Sequence, residues 1–388
     1  MNSSKPLSFE NILAGIIITV IGGIILAYLI QDARFSPKID EQSKATADTF
    51  VELTPRSGSP VDGELPHIAD QKLSSIFSNI QSRDFIVDAT FFNPYDNTTG
   101  LWTYGFLFRN TDANQQFRLY VTSNQEWVLV LVYTVDGNIQ STSIANGSVS
   151  NLNITANAPN SLRLIAIGEI GYFFINGVFI STLPLSGKLS SGDIAVVAEL
   201  TSDEVVGVST TYKGFSVLSL EDNTISLVDG ELQHEADQLL ETTFANVQLR
   251  DFIVEATFFN PYDNTTGAWT YGFLFRNTDR NQQFRLYVNS NQEWVLILVY
   301  TVDGNVQSTL KASGSLSNLN ITANAFNGLR LIALGETGYF FVNNVFISTL
   351  PLSGKLSSGS IAVAAELTFD EIVGVSTTFR GFKVLSIK

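Results

Sequence analysis

A set of polar side chains falls out of phase with the large apolar ones along successive strand-like segments: Asp88, Thr90, Arg109, Arg118, Tyr120, Arg163 and Glu199. The same set returns later as Glu255, Thr257, Arg276, Arg285, Tyr287, Arg330 and Glu366. A guanidinium presents a planar fork of donors and a carboxylate a planar pair of acceptors, and vicinal sugar hydroxyls match both. Tyr95, Trp102 and Trp127 would add flat faces for the C–H side of a sugar ring. The candidate glycan-binding residues are therefore Asp88, Arg109, Arg118, Tyr120 and Glu199, with Glu255, Arg276, Arg285, Tyr287 and Glu366. The competing reading is a solvated sheet face held by cross-strand ion pairs, with the tryptophans in the core.

Other chemistries find less support. Asp84 and Asp88, like Glu199 and Asp203, stand four residues apart, which places their carboxylates about 13 Å apart along a strand. Glycosidic hydrolysis needs a pair about 5–10 Å apart. Asp203-Glu204 and Asp370-Glu371 are adjacent, so on a strand they would point to opposite faces, and a turn is the expected setting. His67 and His234 occupy equivalent positions, read as surface histidines, and without cysteine they do not make a zinc site. No Gly-x-Ser-x-Gly elbow is present. A formal charge of −15 and no cluster of Lys and Arg exclude nucleic acid as a partner. Zero cysteines exclude disulfides and thiol catalysis. No enzymatic activity and no resident cofactor are expected. Asn97, Asn146, Asn153, Asn264 and Asn320 begin glycosylation sequons, which matter only in an exported chain.

The positioning elements are written twice. Residues 61–220 reappear at 228–387 without a gap: Asp62-Gly-Glu-Leu65 returns as Asp229-Gly-Glu-Leu232, and Trp102 to Arg109 returns as Trp269 to Arg276. A unit of this size is a duplicated domain, not a solenoid repeat. Hydrophobic residues make up 45% of the chain and charged ones 15%, and Val, Ile, Thr, Phe and Tyr dominate the repeats, as suits strands. Within the first repeat, 84–92 alternates Phe85, Val87, Ala89 and Phe91 against Asp84, Ile86, Asp88 and Thr90. Further strands are expected at 101–109, 117–121, 127–133, 162–167, 172–175, 178–182, 194–200 and 214–218, punctuated by the hairpin signals Asp136-Gly137 and Asn176-Gly177. Asn343-Asn344 replaces the latter in the second copy. The fold class is all-β: two tandem antiparallel β-sandwich (jelly-roll) domains, at 61–220 and 225–388.

One transmembrane α-helix is expected before them. Residues 12–30, from Ile12 to Ile30, carry no charge, and as a helix they would be about 28 Å long, the thickness of a bilayer's hydrocarbon. A cleaved signal peptide and a buried soluble helix are the alternatives. Residues 1–11 form a tail, and the polar, proline-punctuated stretch 31–60 reads as a flexible stalk. Arg34, Lys38 and Lys44 after the segment favour a cytoplasmic C-terminus. The acidic, Asn/Ser/Thr-rich, cysteine-free β composition favours domains outside the membrane. The expectation is a single-pass membrane protein with extracytoplasmic domains.

Tyr104-Gly-Phe-Leu-Phe-Arg-Asn110, Phe117-Arg-Leu-Tyr-Val121, Trp127-Val-Leu129, Asn160-Ser-Leu-Arg-Leu-Ile-Ala-Ile-Gly168, Tyr172-Phe-Phe-Ile-Asn-Gly177 and Gly192-Asp-Ile-Ala-Val196 follow one another in the first repeat, and the same or near-identical strings follow in the second. In that order they resemble the concanavalin A-like lectin/glucanase superfamily, and within it laminin G-like and 3-keto-disaccharide hydrolase-like modules. The resemblance covers essentially all of each repeat and implies a jelly roll that binds glycan or protein. Retaining glucanases of that superfamily carry Glu-x-Asp-x-x-Glu on one strand, and no such string occurs here. Laminin G-like relatives often bind calcium through loop oxygens, which would fall to Asn110, Asp112 and Asn114 with Asn277, Asp279 and Asn281. Loop capping is the favoured reading of these residues, with calcium ligation the alternative. The resulting expectation is a membrane-anchored binding protein that recognises glycan through its polar sheet faces or rim loops. The alternative is an accessory subunit making protein contacts, with a glycoside hydrolase third.

Overall fold

The alternation of apolar and polar residues dictates strands that bury one face each, and two sheets must meet to hide those faces. The computed structural model describes residues 61–387 apart from 69–72, 113, 189, 200–204, 221–223, 236–239, 280, 356 and 367–371. The tail, apolar segment and stalk expected over 1–60 lie outside the described residues, as do Asp203, Glu204, Asp370 and Glu371. Among the described residues no helix is long and apolar enough to cross a membrane. The chain separates into two compact units, with the break between Thr224 and Ile225.

The first unit holds β1 (Val61–Pro66), β2 (Leu73–Ser82), β3 (Phe85–Phe92), β4 (Thr103–Asp112), β5 (Gln115–Thr122), β6 (Glu126–Val135), β7 (Asn138–Ser148), β8 (Pro159–Ile167), β9 (Ile170–Ile175), β10 (Val178–Pro184), β11 (Gly192–Glu199) and β12 (Ser209–Ser219). They form two six-stranded sheets, ordered β1-β12-β3-β8-β9-β10 and β2-β11-β4-β5-β6-β7. The strand pairs are antiparallel, with β3 and β8 in unbroken register from Phe85↔Ala166 to Phe92↔Pro159.

The second unit repeats the plan. Its strands are β13 (Thr224–Gln233), β14 (Leu240–Leu249), β15 (Phe252–Phe259), β16 (Thr270–Asp279), β17 (Gln282–Asn289), β18 (Glu293–Val302), β19 (Asn305–Ser315), β20 (Phe326–Leu334), β21 (Thr337–Val342), β22 (Val345–Pro351), β23 (Gly359–Glu366) and β24 (Ser376–Ser386). They order as β13-β24-β15-β20-β21-β22 and β14-β23-β16-β17-β18-β19.

Both cores lie between the two sheets of a unit. Phe85, Val87, Ala89 and Phe91 of β3 meet Tyr104, Phe106 and Phe108 of β4, with Phe91 stacked on Tyr104 at 4.7 Å. Phe258 stacks on Tyr271 in the same way at 4.6 Å. Gly105 and Gly272 are required by this packing: a Cβ on either would lie 2.0 Å from the carbonyl oxygen of Leu119 or Leu286 on the next strand.

Sequence patterning missed β1, β2 and β7. β7 is a sheet edge, exposed along most of its length, with Ile139 61% exposed. An edge strand with both faces wet shows no period to read. β1 and β2 are also edges, and β2 alternates only weakly.

Candidate functional site

The polar residues picked out by phase do not share one face. Asp88 and Arg163 lie on β3 and β8 of one sheet, with Arg163 Nε donating to Asp88 Oδ1 at 2.6 Å. Arg118, Tyr120 and Glu199 lie on β5 and β11 of the other sheet, so they face the opposite side of the sandwich. Arg118 Nη1 donates to Glu199 Oε1 at 3.2 Å, and Arg285 to Glu366 at 3.0 Å. Burial, partly offset by Arg118, pushes the Glu199 carboxyl up from its ordinary value. Tyr120 and Tyr287 are buried, beside Leu107, Ala195 and Val197 in one copy and Leu274, Ala362 and Ala364 in the other. Their rings therefore offer no stacking surface.

Arg109 and Arg276 correct the strand-phase argument most sharply. Both side chains are fully buried. Each backbone adopts a left-handed φ of 49° and stands at an irregular register, which breaks the alternation and turns the side chain inward. Arg109 Nε donates to Arg83 O, Nη1 to Leu185 O and Lys188 O, and Nη2 to Gly168 O, with Asp84 Oδ1 at 3.8 Å. Arg276 makes the matching set with Arg250, Leu352, Lys355 and Gly335, beside Asp251 at 3.6 Å. A buried guanidinium with four of its five donors on loop carbonyls and a carboxylate beside Nη2 is a clamp, and is closed off from a sugar.

Three further groups of residues have defined settings, and only the histidines depart from the reading favoured by sequence. Trp102 and Trp127 lie in the core, and Tyr95 is buried with its hydroxyl donating to Leu101 O. His67 and His234 are buried, each Nε2 bonded to a threonine hydroxyl (Thr210 and Thr377) at 2.9 Å. Burial lowers both imidazole pKa values. Asp112 and Asp279 cap their own turns, accepting the N–H groups of Asn114 and Asn281. Among the described residues no cluster of three or more His, Asp or Glu side chains could hold a metal ion.

A recess lies elsewhere, on the outer face of the sheet that carries β15 and β20. It encloses about 460 Å³ and is lined by Glu255, Thr257, Asn320, Phe326, Gly328, Arg330, Asn343, Asn344 and Gly381, with Ala256 and Leu329 below. Its floor is the Glu255–Arg330 ion pair, Oε1 to Nε at 3.1 Å. One wall is Phe326, 60% exposed, its ring 6.5 Å from that of Phe259, over which Arg380 sits at 5.1 Å. The rim is the β21–β22 turn, where Asn343 and Asn344 both take positive φ, as a primed hairpin turn demands. Asn343 Oδ1 accepts from Gly328 N at 2.8 Å, fixing that turn against β20. Gly381 is held at the opposite rim by its N–H donating to Asp229 Oδ1 at 2.6 Å.

Solved structures align with the chain at low identity. No family model matches the chain, and no curated protein matches it. Among solved structures, one similar chain is the carbohydrate binding module CBM66 from Bacillus subtilis, at 13% identity and TM-score 0.31, covering 42% of this chain and 94% of that one. Domains LG4-5 of the mouse laminin alpha1 chain align at 9% identity and TM-score 0.24, covering 86% of this chain and 90% of that one. A glycoside hydrolase family 16 endo-glucanase from Bacteroides ovatus aligns at 10% identity and TM-score 0.31, covering 41% of this chain and 80% of that one.

Of the residues expected from sequence, the recess contains Glu255, with Thr257 and Arg330 from the wider polar set. Phe326, Gly328, Asn343 and Asn344 were missed. Three of those four stand where the first repeat has a different residue: Pro159 for Phe326, Ser161 for Gly328 and Gly177 for Asn344. Chemically, the recess offers amide, hydroxyl, carboxylate and guanidinium groups beside one flat aromatic face. That mixture fits a ligand with hydroxyls on its edge and C–H groups on its face.

Proposed function

We propose that the chain is a saccharide-binding protein whose site is the β15–β20 recess of the second repeat. The carrying observation is the 60% exposed Phe326 set beside Asn343, Asn344, Thr257 and the Glu255–Arg330 pair in one concavity of about 460 Å³, a volume suited to a small ligand. The ring takes the apolar face of a sugar, and the planar polar groups take its hydroxyls. The protein acts by binding, not catalysis. Glu255 is the one carboxylate lining the recess and is engaged by Arg330, whereas glycoside hydrolysis draws on two carboxyl groups. The uncharged run from Ile12 to Ile30 tethers the domains to a membrane as a single span, with the domains outside.

The test is an immobilised panel of neutral and acidic oligosaccharides, probed with the full chain in a detergent lacking a sugar headgroup. Retention on a subset of the panel supports the reading. Silence across the panel, with the chain recovered in a stable complex with another membrane protein, overturns it.

A further inference from the structure

The two repeats share nearly every core residue, and β3–β8 and β15–β20 have the same register. Their outer faces differ at several places, one of which is the middle of this strand pair. In the first repeat Thr90 pairs with Ser161, and their hydroxyls bond to each other at 2.8 Å across the strand pair. In the second repeat Thr257 pairs with Gly328, which brings no hydroxyl. A Cβ added to Gly328 would meet a single atom within 4 Å, Asn343 Oδ1 at 3.9 Å, so the glycine leaves space that nothing else fills.

The neighbouring exchanges point the same way. Pro159 at the start of β8 becomes Phe326, an exposed ring beside the opening. Gly177 at the hairpin becomes Asn344, which adds an amide to the rim. Asp88 becomes Glu255, one methylene longer, and Lys213 over Phe92 becomes Arg380 over Phe259, exchanging a point charge for a planar fork. Exchanges are spread over both sheets, as at Ser74 and Glu241, Ser143 and Leu310 or Ser216 and Lys383, but those around Gly328 all border the one recess.

We infer that the repeats have divided their roles: the second carries a single saccharide site per chain, with Phe326, Gly328 and Asn344 as its specificity-determining residues, and the first is a scaffold copy closed by the Thr90–Ser161 bond. This inference rests on the saccharide reading above. A chain with two equivalent sites would gain avidity from duplication, and this one does not.

The experiment applies the same oligosaccharide panel to the full chain and to three variants. Phe326→Ala combined with Gly328→Ser should lower retention at least tenfold while the unfolding transition stays in place, because Phe326 is exposed and Gly328 has room for the side chain. Thr90→Ala, in the first repeat, should leave retention unchanged. Adding Pro159→Phe, Ser161→Gly and Gly177→Asn to the doubly altered chain should restore retention, the site now being rebuilt in the first repeat. Equal losses from both repeats, or undiminished retention after the second-repeat changes, would overturn the division of roles and leave saccharide binding standing. An unaltered chain that retains no member of the panel would overturn both.

Discussion

Set side by side, the two repeats are nearly identical where they are buried, and most of their differences fall at open or half-buried positions. Trp102 stacks on Tyr104 at 4.8 Å and Trp269 on Tyr271 at 4.9 Å. The Asn93–Tyr104–Asn160 network is matched bond for bond by Asn260, Tyr271 and Asn327. Close packing admits few substitutions, and a buried polar network admits fewer, since each unpaired member carries its full desolvation cost. The outer face around Ser161 and Gly328 obeys no such constraint, so exchanges there cost the fold little. Duplication supplies a control inside one molecule: what both copies keep is architecture, and what one copy alters is a candidate for recognition.

Three alterations strain that comparison, beginning with the largest effect. Arg109→Leu and Arg276→Leu should each destabilise their own repeat by about 3–5 kcal/mol, since each removes a buried charge that holds loop carbonyls together. Denaturant unfolding of the full chain reads this, and the two losses should be equal. A variant that lost retention on saccharide with its stability intact would return these arginines to the binding surface.

The next effect is on pH dependence. Burial depresses the His67 and His234 pKa values, so on acidification the unfolded chain takes up protons before the folded one does. Stability is therefore complete above the unfolded value and declines as pH falls through about 6.5. Urea midpoints at about pH 7.5 and about pH 5.5 should show the decline. His67→Gln with His234→Gln should flatten it.

The smallest effect concerns the hairpin. Asn344→Gly should stabilise the second repeat by about 0.5 kcal/mol, because glycine takes the left-handed conformation without strain. Gly177→Asn should cost the first repeat a similar amount. Calorimetric melting of the full chain checks both. A gain in stability accompanied by weaker saccharide retention would show that Asn344 gives up stability for its place on the rim.

The sandwich was legible in the sequence because period-two alternation survives in β3 and β8, and in β4 as far as Phe108, and because Asp136-Gly137 and Asn176-Gly177 mark their turns by backbone preference alone. The candidate site was legible only in part. Phase assigned Glu255 and Arg330 to an outer face correctly, but it cannot say which of two sheets a strand joins, so Arg118, Tyr120 and Glu199 were placed with Asp88 when they lie on the other side of the sandwich. Phase also failed at Arg109 and Arg276, where one residue of positive φ reverses inside and outside. Phe326 was overlooked because it opens a strand, where a lone aromatic belongs to no alternation.

Hydroxyl-radical footprinting of the full chain, with and without an oligosaccharide it retains, tests the central claim most directly. Protection at Phe326 and at the Asn343–Asn344 turn, with Pro159 and the Arg118–Glu199 face unaffected, is the predicted result. Protection centred on Arg118 and Glu199, or distributed equally over both repeats, would contradict it.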